Sequence, residues 1–247
     1  MTDITKIASE LYTHLPEGFD LYDEPLSKEV WASKYRQGDE ENMFDSAYRI
    51  CHGVYAKDTQ EHQFAGATAI GLGLWMPGGR IIAGAGTDKR VTLFNCYVNE
   101  RLEDSMEGIH RGYGNVMFTM QQGGGIGTDF TPIRPDGAWL HRTKAPASGP
   151  IPFAIAQNAI GETVESAGER RGAQMGTLAD FHPDLLKWIS LKQTKGVMTQ
   201  FNLSILVSDA FMNAVAEDEQ WLLYHAVAPK TRAPELEALD FWDEYTN

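Results

Sequence analysis

The chain has 247 residues, of which 43% are hydrophobic and 22% charged, enough apolar side chain for a sizeable core and not the makeup of a disordered or fibrous protein. Its 34 acidic residues outnumber 21 basic ones, a net charge of −13; this argues against a nucleic-acid-binding module, which needs a basic footprint, but leaves room for an anionic small molecule held by local arginines. Two cysteines, Cys51 and Cys96, make neither a disulfide scaffold nor a zinc pattern, and the weakly polar stretch 65–82 is broken by glycines, Pro77 and Arg80, so the expectation is a reduced, cytoplasmic protein with no membrane span and no metal site.

In chain order, the first sixty residues read as helices joined by turns. Asp3 to His14 has helical spacing and is stopped by Pro16-Glu17-Gly18. Glu40 to Tyr55 is the clearest helix, its apolar positions Met43, Phe44, Ala47, Ile50, Cys51, Val54 and Tyr55 recurring every three or four residues. That stripe makes Cys51 a core residue. From Glu61 to Gly84 a small-residue helix runs into Met76-Pro77-Gly78-Gly79, and its glycines require close packing to hold it. Val91 to Val98 alternates as a strand. A helix then starts at Asp104, with Met106, Ile109, Tyr113, Val116 and Met120 as its buried stripe and Glu107 in a capping box. Beyond the glycine run at 123–127 comes a Pro- and Gly-bearing connection to Pro152; helices are then expected at 153–164, 182–192, 209–216 (capped by Asp209) and 221–228, with strands at 175–180 and, buried, at 202–207, and a polar loop at 166–172. Strands alternating with helices indicate an α/β architecture with parallel pairing, and the strands are too few to close a barrel.

Four candidate features carry chemistry. Gly123-Gly124-Gly125-Ile126-Gly127 fits neither the dinucleotide fingerprint nor a P-loop; it is either a tight helix-to-strand connection or a floor whose amides approach a ligand. Cys96 follows Asn95 in the strand, and an asparagine is unfavourable there unless its amide finds a partner, so the pair either packs or faces a ligand. Asp104 and Ser105 are helix caps or the start of an anion site. Glu169, Arg170 and Arg171 lie between glycines, either as a solvated loop or as forked donors to a phosphate or base.

In order along the chain, Gly79-Arg80-Ile81-Ile82-Ala83-Gly84-Ala85-Gly86-Thr87, Leu93-Phe94-Asn95-Cys96-Tyr97-Val98, Asp104-Ser105-Met106 and the glycine run resemble the start of a ribonucleotide reductase catalytic chain. Ile133-Arg134-Pro135, Ser148-Gly149-Pro150, Arg170-Arg171-Gly172-Ala173, the segment 180–189 and Phe201-Asn202-Leu203-Ser204 continue the likeness, which covers residues 26–218 and is greatest to the class II, adenosylcobalamin-dependent branch. The resemblance implies the N-terminal part of a ten-stranded α/β barrel (residues 61–247) preceded by a small helical region (1–60), in an oxidoreductase that converts ribonucleotides to deoxyribonucleotides by thiyl-radical chemistry. It implies that Cys96 is one of the two redox-active thiols and that Asn95, Gly124 and Gly125 line the substrate. Asp104, Ser105, Met106 and Arg134 would bind a deoxynucleoside triphosphate effector, with Glu169, Arg170 and Arg171 in the specificity loop relaying its identity.

The sequence lacks the family's radical-cysteine motif and the partner thiol of Cys96, and Cys51 precedes the barrel. The expectation is therefore an N-terminal portion, inactive alone, that either works with a separate C-terminal reductase polypeptide carrying the cobalamin-facing half, in an assembly that includes a homodimer among its options, or is a truncated product. The alternative is a catalytically inactive fragment that binds the effector and does no chemistry.

Overall fold

The computed structural model describes residues 13–164, 173–193 and 196–225, and the chain divides into two units at Asn95/Cys96. The expected helix at 3–14 lies almost wholly outside the described residues, as does the loop 166–172.

The first unit is helical: α1 (Pro25–Lys34), α2 (Met43–Val54), α3 (Gln60–Gly71) and α4 (Gly79–Gly84). Asn42 starts α2 in a reciprocal capping box with Asp45, and Thr59 caps α3 through the amide of His62. The stripe expected on α2 buries Met43, Ala47, Ile50 and Cys51, while Val54 and Tyr55 at its end are exposed. The four buried residues pack with Trp31, Ala67, Ile70, Ile82 and Ala85. The glycines of α3 do hold it by close approach: a Cβ on Gly66 would lie 3.0 Å from the Cys51 sulfur, and one on Gly71 would strike the Phe44 ring. The single helix expected over 61–84 is in fact two, because the chain turns out of helical geometry at Gly73, at φ +70, and Gly78 starts α4 afresh. A buried polar strut crosses this unit. Glu40 accepts from Ser46 and pairs with Arg49 at 2.5 Å, and Arg49 donates to the carbonyls of Ile82 and Ala85.

The second unit holds β1 (Cys96–Val98), α5 (Met106–Gln121), β2 (Gly125–Asp129), the hairpin strands β3 (Asp136–Leu140) and β4 (Ala145–Ser148), α6 (Pro150–Thr163), β5 (Gln174–Ala179), α7 (Leu185–Ser190), β6 (Phe201–Leu206) and α8 (Asp209–Glu217). The main sheet runs β1-β2-β5-β6 with every pairing parallel. Register puts Ile126, Thr128, Gln174, Gly176, Leu178 and Phe201 on one face. That face is covered by helices: Val116 and Met120 of α5 cluster with Ile126, Gln157 of α6 bonds Thr128 and Gln174, and Trp188 of α7 lies against Gly176. The other face presents Cys96, Val98, Met175, Asn202 and Leu206, all exposed. Strands added in chain order at one edge, with the helices of the described residues on one side only, build the wall of an α/β barrel and not a doubly wound sheet, which reverses order and carries helices on both sides.

Several expectations need correction. The strand expected from Val91 starts only at Cys96: the amide of Phe94 is turned back onto the Thr92 hydroxyl, and β2 begins at Gly125, abreast of Cys96, so the earlier residues have no strand there to pair with. Helix α5 is capped by Ser105, whose hydroxyl accepts from Gly108, leaving Glu107 one place short of a capping box. Met106, the first helical residue, is 66% exposed and does not join the buried stripe. The strand β6 is half buried, because its alternate residues face the uncovered side. Helix α8 is capped by Ser208 and not Asp209. Residues 221–225 are not helical: the Tyr224 amide donates to Phe181 and the Trp221 indole to Asp180, so this segment is tied across the turn after β5. The hairpin β3–β4 lies in a stretch read only as a Pro- and Gly-bearing connection. Among the described residues no helix is long and apolar enough to cross a membrane.

Candidate functional site

Cys96 is the first residue of β1 and is exposed on the uncovered face of the sheet. Its register partner is Gly125, buried at the start of β2. The glycine run is thus a helix-to-strand connection. Gly123 turns at φ +83, a conformation that disfavours other residues, and its amide donates to Met120 at the end of α5. Gly124 is buried on the covered side, where a Cβ would lie 2.9 Å from both the Tyr97 ring and Thr119. Of the candidate substrate residues, then, Gly125 stands beside Cys96 while Gly124 makes room for packing. Asn95 precedes β1 and is exposed. The other thiol, Cys51, is buried in the first unit, and burial pushes its pKa up to about 11.

Three of the four effector candidates are neighbours in sequence at the start of α5, and the fourth joins them through space. Arg134, in the segment between β2 and β3, donates from Nε to Asp104 at 2.7 Å and from Nη2 to the Asp104 carbonyl at 3.3 Å. Its backbone amide donates to the other oxygen of Asp104 at 3.2 Å. Both side chains keep some access to solvent, at 35% for Arg134 and 18% for Asp104. The cluster offers an anion a partly exposed guanidinium beside the N-terminus of a 16-residue helix, whose dipole favours negative charge. Glu169, Arg170 and Arg171 lie outside the described residues.

Sequence reasoning missed what stands behind Arg134. His182, entirely buried, donates from Nε2 to the Ile133 carbonyl at 2.9 Å, and its Nδ1 accepts from the Asp184 amide at 3.0 Å. The His225 ring lies edge-to-face against it, with centroids 5.6 Å apart. Burial is the largest influence on both rings and holds each pKa below the ordinary 6.5, most strongly opposed at His182 by the Ile133 hydrogen bond and by Asp184. The available signal was the tripeptide His182-Pro183-Asp184, short-range and unlike a metal pattern.

The second unit is thus a parallel α/β barrel wall that carries a thiol on its open face and, elsewhere, an arginine–carboxylate pair at a helix start. The family model "Ribonucleotide reductase, barrel domain" matches residues 94–247, and the chain belongs to that family. The vitamin B12-dependent ribonucleoside-diphosphate reductase of Mycobacterium tuberculosis is 33% identical over 172 residues, 67% of this chain and 24% of that protein. The similarly named enzyme of Thermoplasma acidophilum is 32% identical over 68% of this chain and 22% of its own length. The ribonucleoside-diphosphate reductase subunit alpha of Helicobacter pylori is 32% identical over 66% and 21%. The chain thus spans about a quarter of the length of these curated relatives. Among solved structures, the Actinobacillus ureae class Id ribonucleotide reductase alpha subunit shares the fold, with a TM-score of 0.68 at 16% identity over 81% of this chain and 36% of that one.

Proposed function

We propose that this chain supplies the first strands of a class II ribonucleotide reductase barrel, with Cys96 as one of the two thiols that reduce the ribonucleotide. The observation that carries this reading is the position of Cys96, exposed on the open face abreast of a glycine, while the only other cysteine is buried in a different unit. Reducing the ribose 2′ carbon takes two electrons. Two thiols provide them by forming a disulfide as the 2′ hydroxyl departs as water. Cys96 is one sulfur; the second thiol and the cysteine that becomes the radical are not among these 247 residues, whose other cysteine is Cys51. Asn95 and Gly125 line the ribose, as the resemblance implies, whereas Gly124 faces the covered side of the sheet.

Asp104, Ser105, Met106 and Arg134 bind a deoxynucleoside triphosphate, the phosphates competing with Asp104 for the guanidinium, and Glu169, Arg170 and Arg171 relay its identity. Adenosylcobalamin, the group implied by the B12-dependent relatives, needs an enclosing pocket. The open-face residues Cys96, Val98, Met175, Asn202 and Leu206 are exposed and enclose nothing among the described residues, so they do not fit the corrin by themselves. That group is assigned to the remainder of the barrel.

The test is equilibrium binding of the four deoxynucleoside triphosphates to the purified chain, alongside ribonucleotide reduction with a completing reductase polypeptide. Selective binding with restored turnover supports the reading. In that mixture Cys96→Ser abolishes turnover with an external dithiol and leaves triphosphate binding unchanged. Selective binding with no turnover in a well-expressed mixture favours the second reading, an effector-binding fragment without chemistry, for which the Arg134–Asp104 pair speaks because it forms within the second unit alone.

A further inference from the structure

We infer that His182 and Asp184 form a positioning clamp that fixes Arg134 for its anionic ligand; what Arg134 binds rests on the effector reading above, while the clamp itself rests only on geometry. The residues on either side of the Arg134-Pro135 step are tied to one tripeptide. Before it, the Ile133 carbonyl accepts from His182. After it, the Asp136 amide donates to Oδ2 of Asp184 at 2.8 Å, and Lys187 bridges the carboxylates of Asp136, at 2.8 Å, and Asp184, at 3.3 Å. Arg134 is therefore presented from a segment held at both ends, and Asp104 meets it from the far side.

The ring of His182 has no freedom of role. A carbonyl can only accept and an amide N–H can only donate, so the proton sits on Nε2 and Nδ1 is bare. The ring is buried among Asp184, Asp129 and His225, and protonating Nδ1 would break the bond from the Asp184 amide. Asp184, itself buried, aligns both halves: its amide orients the ring and its carboxylate holds Asp136. Gly149 is the gap through which that second bond passes. A Cβ there would fall 2.8 Å from the Asp136 nitrogen and 2.9 Å from Oδ2 of Asp184.

The experiment uses the full 247-residue chain and the variants His182→Gln, His182→Asn, Asp184→Ala and Arg134→Ala, each checked for folding by thermal melting. Glutamine reaches the Ile133 carbonyl as Nε2 of histidine does; asparagine keeps only the acceptor toward the Asp184 amide. In the nucleotide-free chain, hydrogen exchange at the Asp136 amide should rise about tenfold in His182→Asn and Asp184→Ala and return close to wild type in His182→Gln. Affinity for the tightest-binding deoxynucleoside triphosphate should fall in the same order, with Arg134→Ala as the floor. Equal exchange in Gln and Asn variants of equal melting temperature would mean that the histidine only fills space, and would overturn the clamp. If the wild-type chain binds no triphosphate while exchange follows the predicted order, the effector reading fails and the clamp stands. If the variants do not fold, the 15N shifts of the wild-type His182 ring decide: an Nε2–H tautomer resisting protonation below pH 6.5 supports the clamp, and an Nδ1–H tautomer overturns it.

Discussion

Cys51 and Cys96 share a side chain and differ in everything around it. Burial raises the Cys51 pKa to about 11, so it presents almost no thiolate near neutral pH and no access, whereas Cys96 is exposed. A thiol reagent should therefore label Cys96 in the native chain and Cys51 only after denaturation; mass spectrometry of the labelled peptides checks it. The glycine behind the Arg134 segment makes a second residue-level case. Gly149 sits at φ +72 and ψ −178, a region open almost only to glycine, and a Cβ there would collide with the Asp136 amide. Gly149→Ala should cost about 3 kcal/mol, read as a lowered urea midpoint. The burial of Cys51 was legible because its neighbours recur at helical spacing. The Arg134–Asp104 contact was not, since two residues thirty positions apart carry no local sign that their side chains meet; only the family likeness placed them in one site.

At the scale of elements, caps decided where the sequence reading was right or one residue off. Ser105 and Ser208 each follow or precede an aspartate, and either residue type can start a helix. At α5 the structure separates them by what else the aspartate has to do. Asp104 is engaged by Arg134, leaving Ser105 free to accept from Gly108, and the same logic leaves Met106 in the solvent-facing first turn. Ser105→Ala should lower stability by about 1 kcal/mol in denaturant unfolding, and the loss should be felt at α5, seen as faster amide exchange at Gly108. The strands show the opposite limit. Alternation at 91–98 was genuine in the sequence, yet only the last three residues pair, because pairing is a property of two segments and the neighbour starts at Gly125. The hairpin β3–β4 escaped notice for a similar reason: its strands are short, one contains Pro146, and their pairing slips register between Asp136 and Trp139.

For the whole second unit, the pH dependence of stability follows from the buried imidazole of His182 and the half-buried one of His225. His182 and His225 are held neutral by burial, each with a pKa below the ordinary 6.5. On acidification the unfolded chain takes up these protons first, so the stabilisation is fully present above pH 6.5 and is lost as the pH falls through that value. Urea midpoints measured on either side should fall on the acid side, and His182→Gln should flatten the dependence. The α/β class and the parallel order were legible because the alternation of elements is a whole-chain pattern. The one-sided cover was not, since a run such as Phe201-Asn202-Leu203-Ser204 does not say which of its faces meets a helix.

Strand β2 makes these two ends of the unit mechanically one. It is five residues long, spanning about 17 Å, with Gly125 abreast of the thiol at its start and the Arg134 segment following its end. Parallel neighbours bracket it on both sides, and a slip of one residue would turn every side chain to the wrong face. It is a rod with stops: it can tilt with the sheet but neither lengthen nor creep, and so sets a fixed gauge between the place where a nucleotide would be recognised and the sulfur that would reduce one.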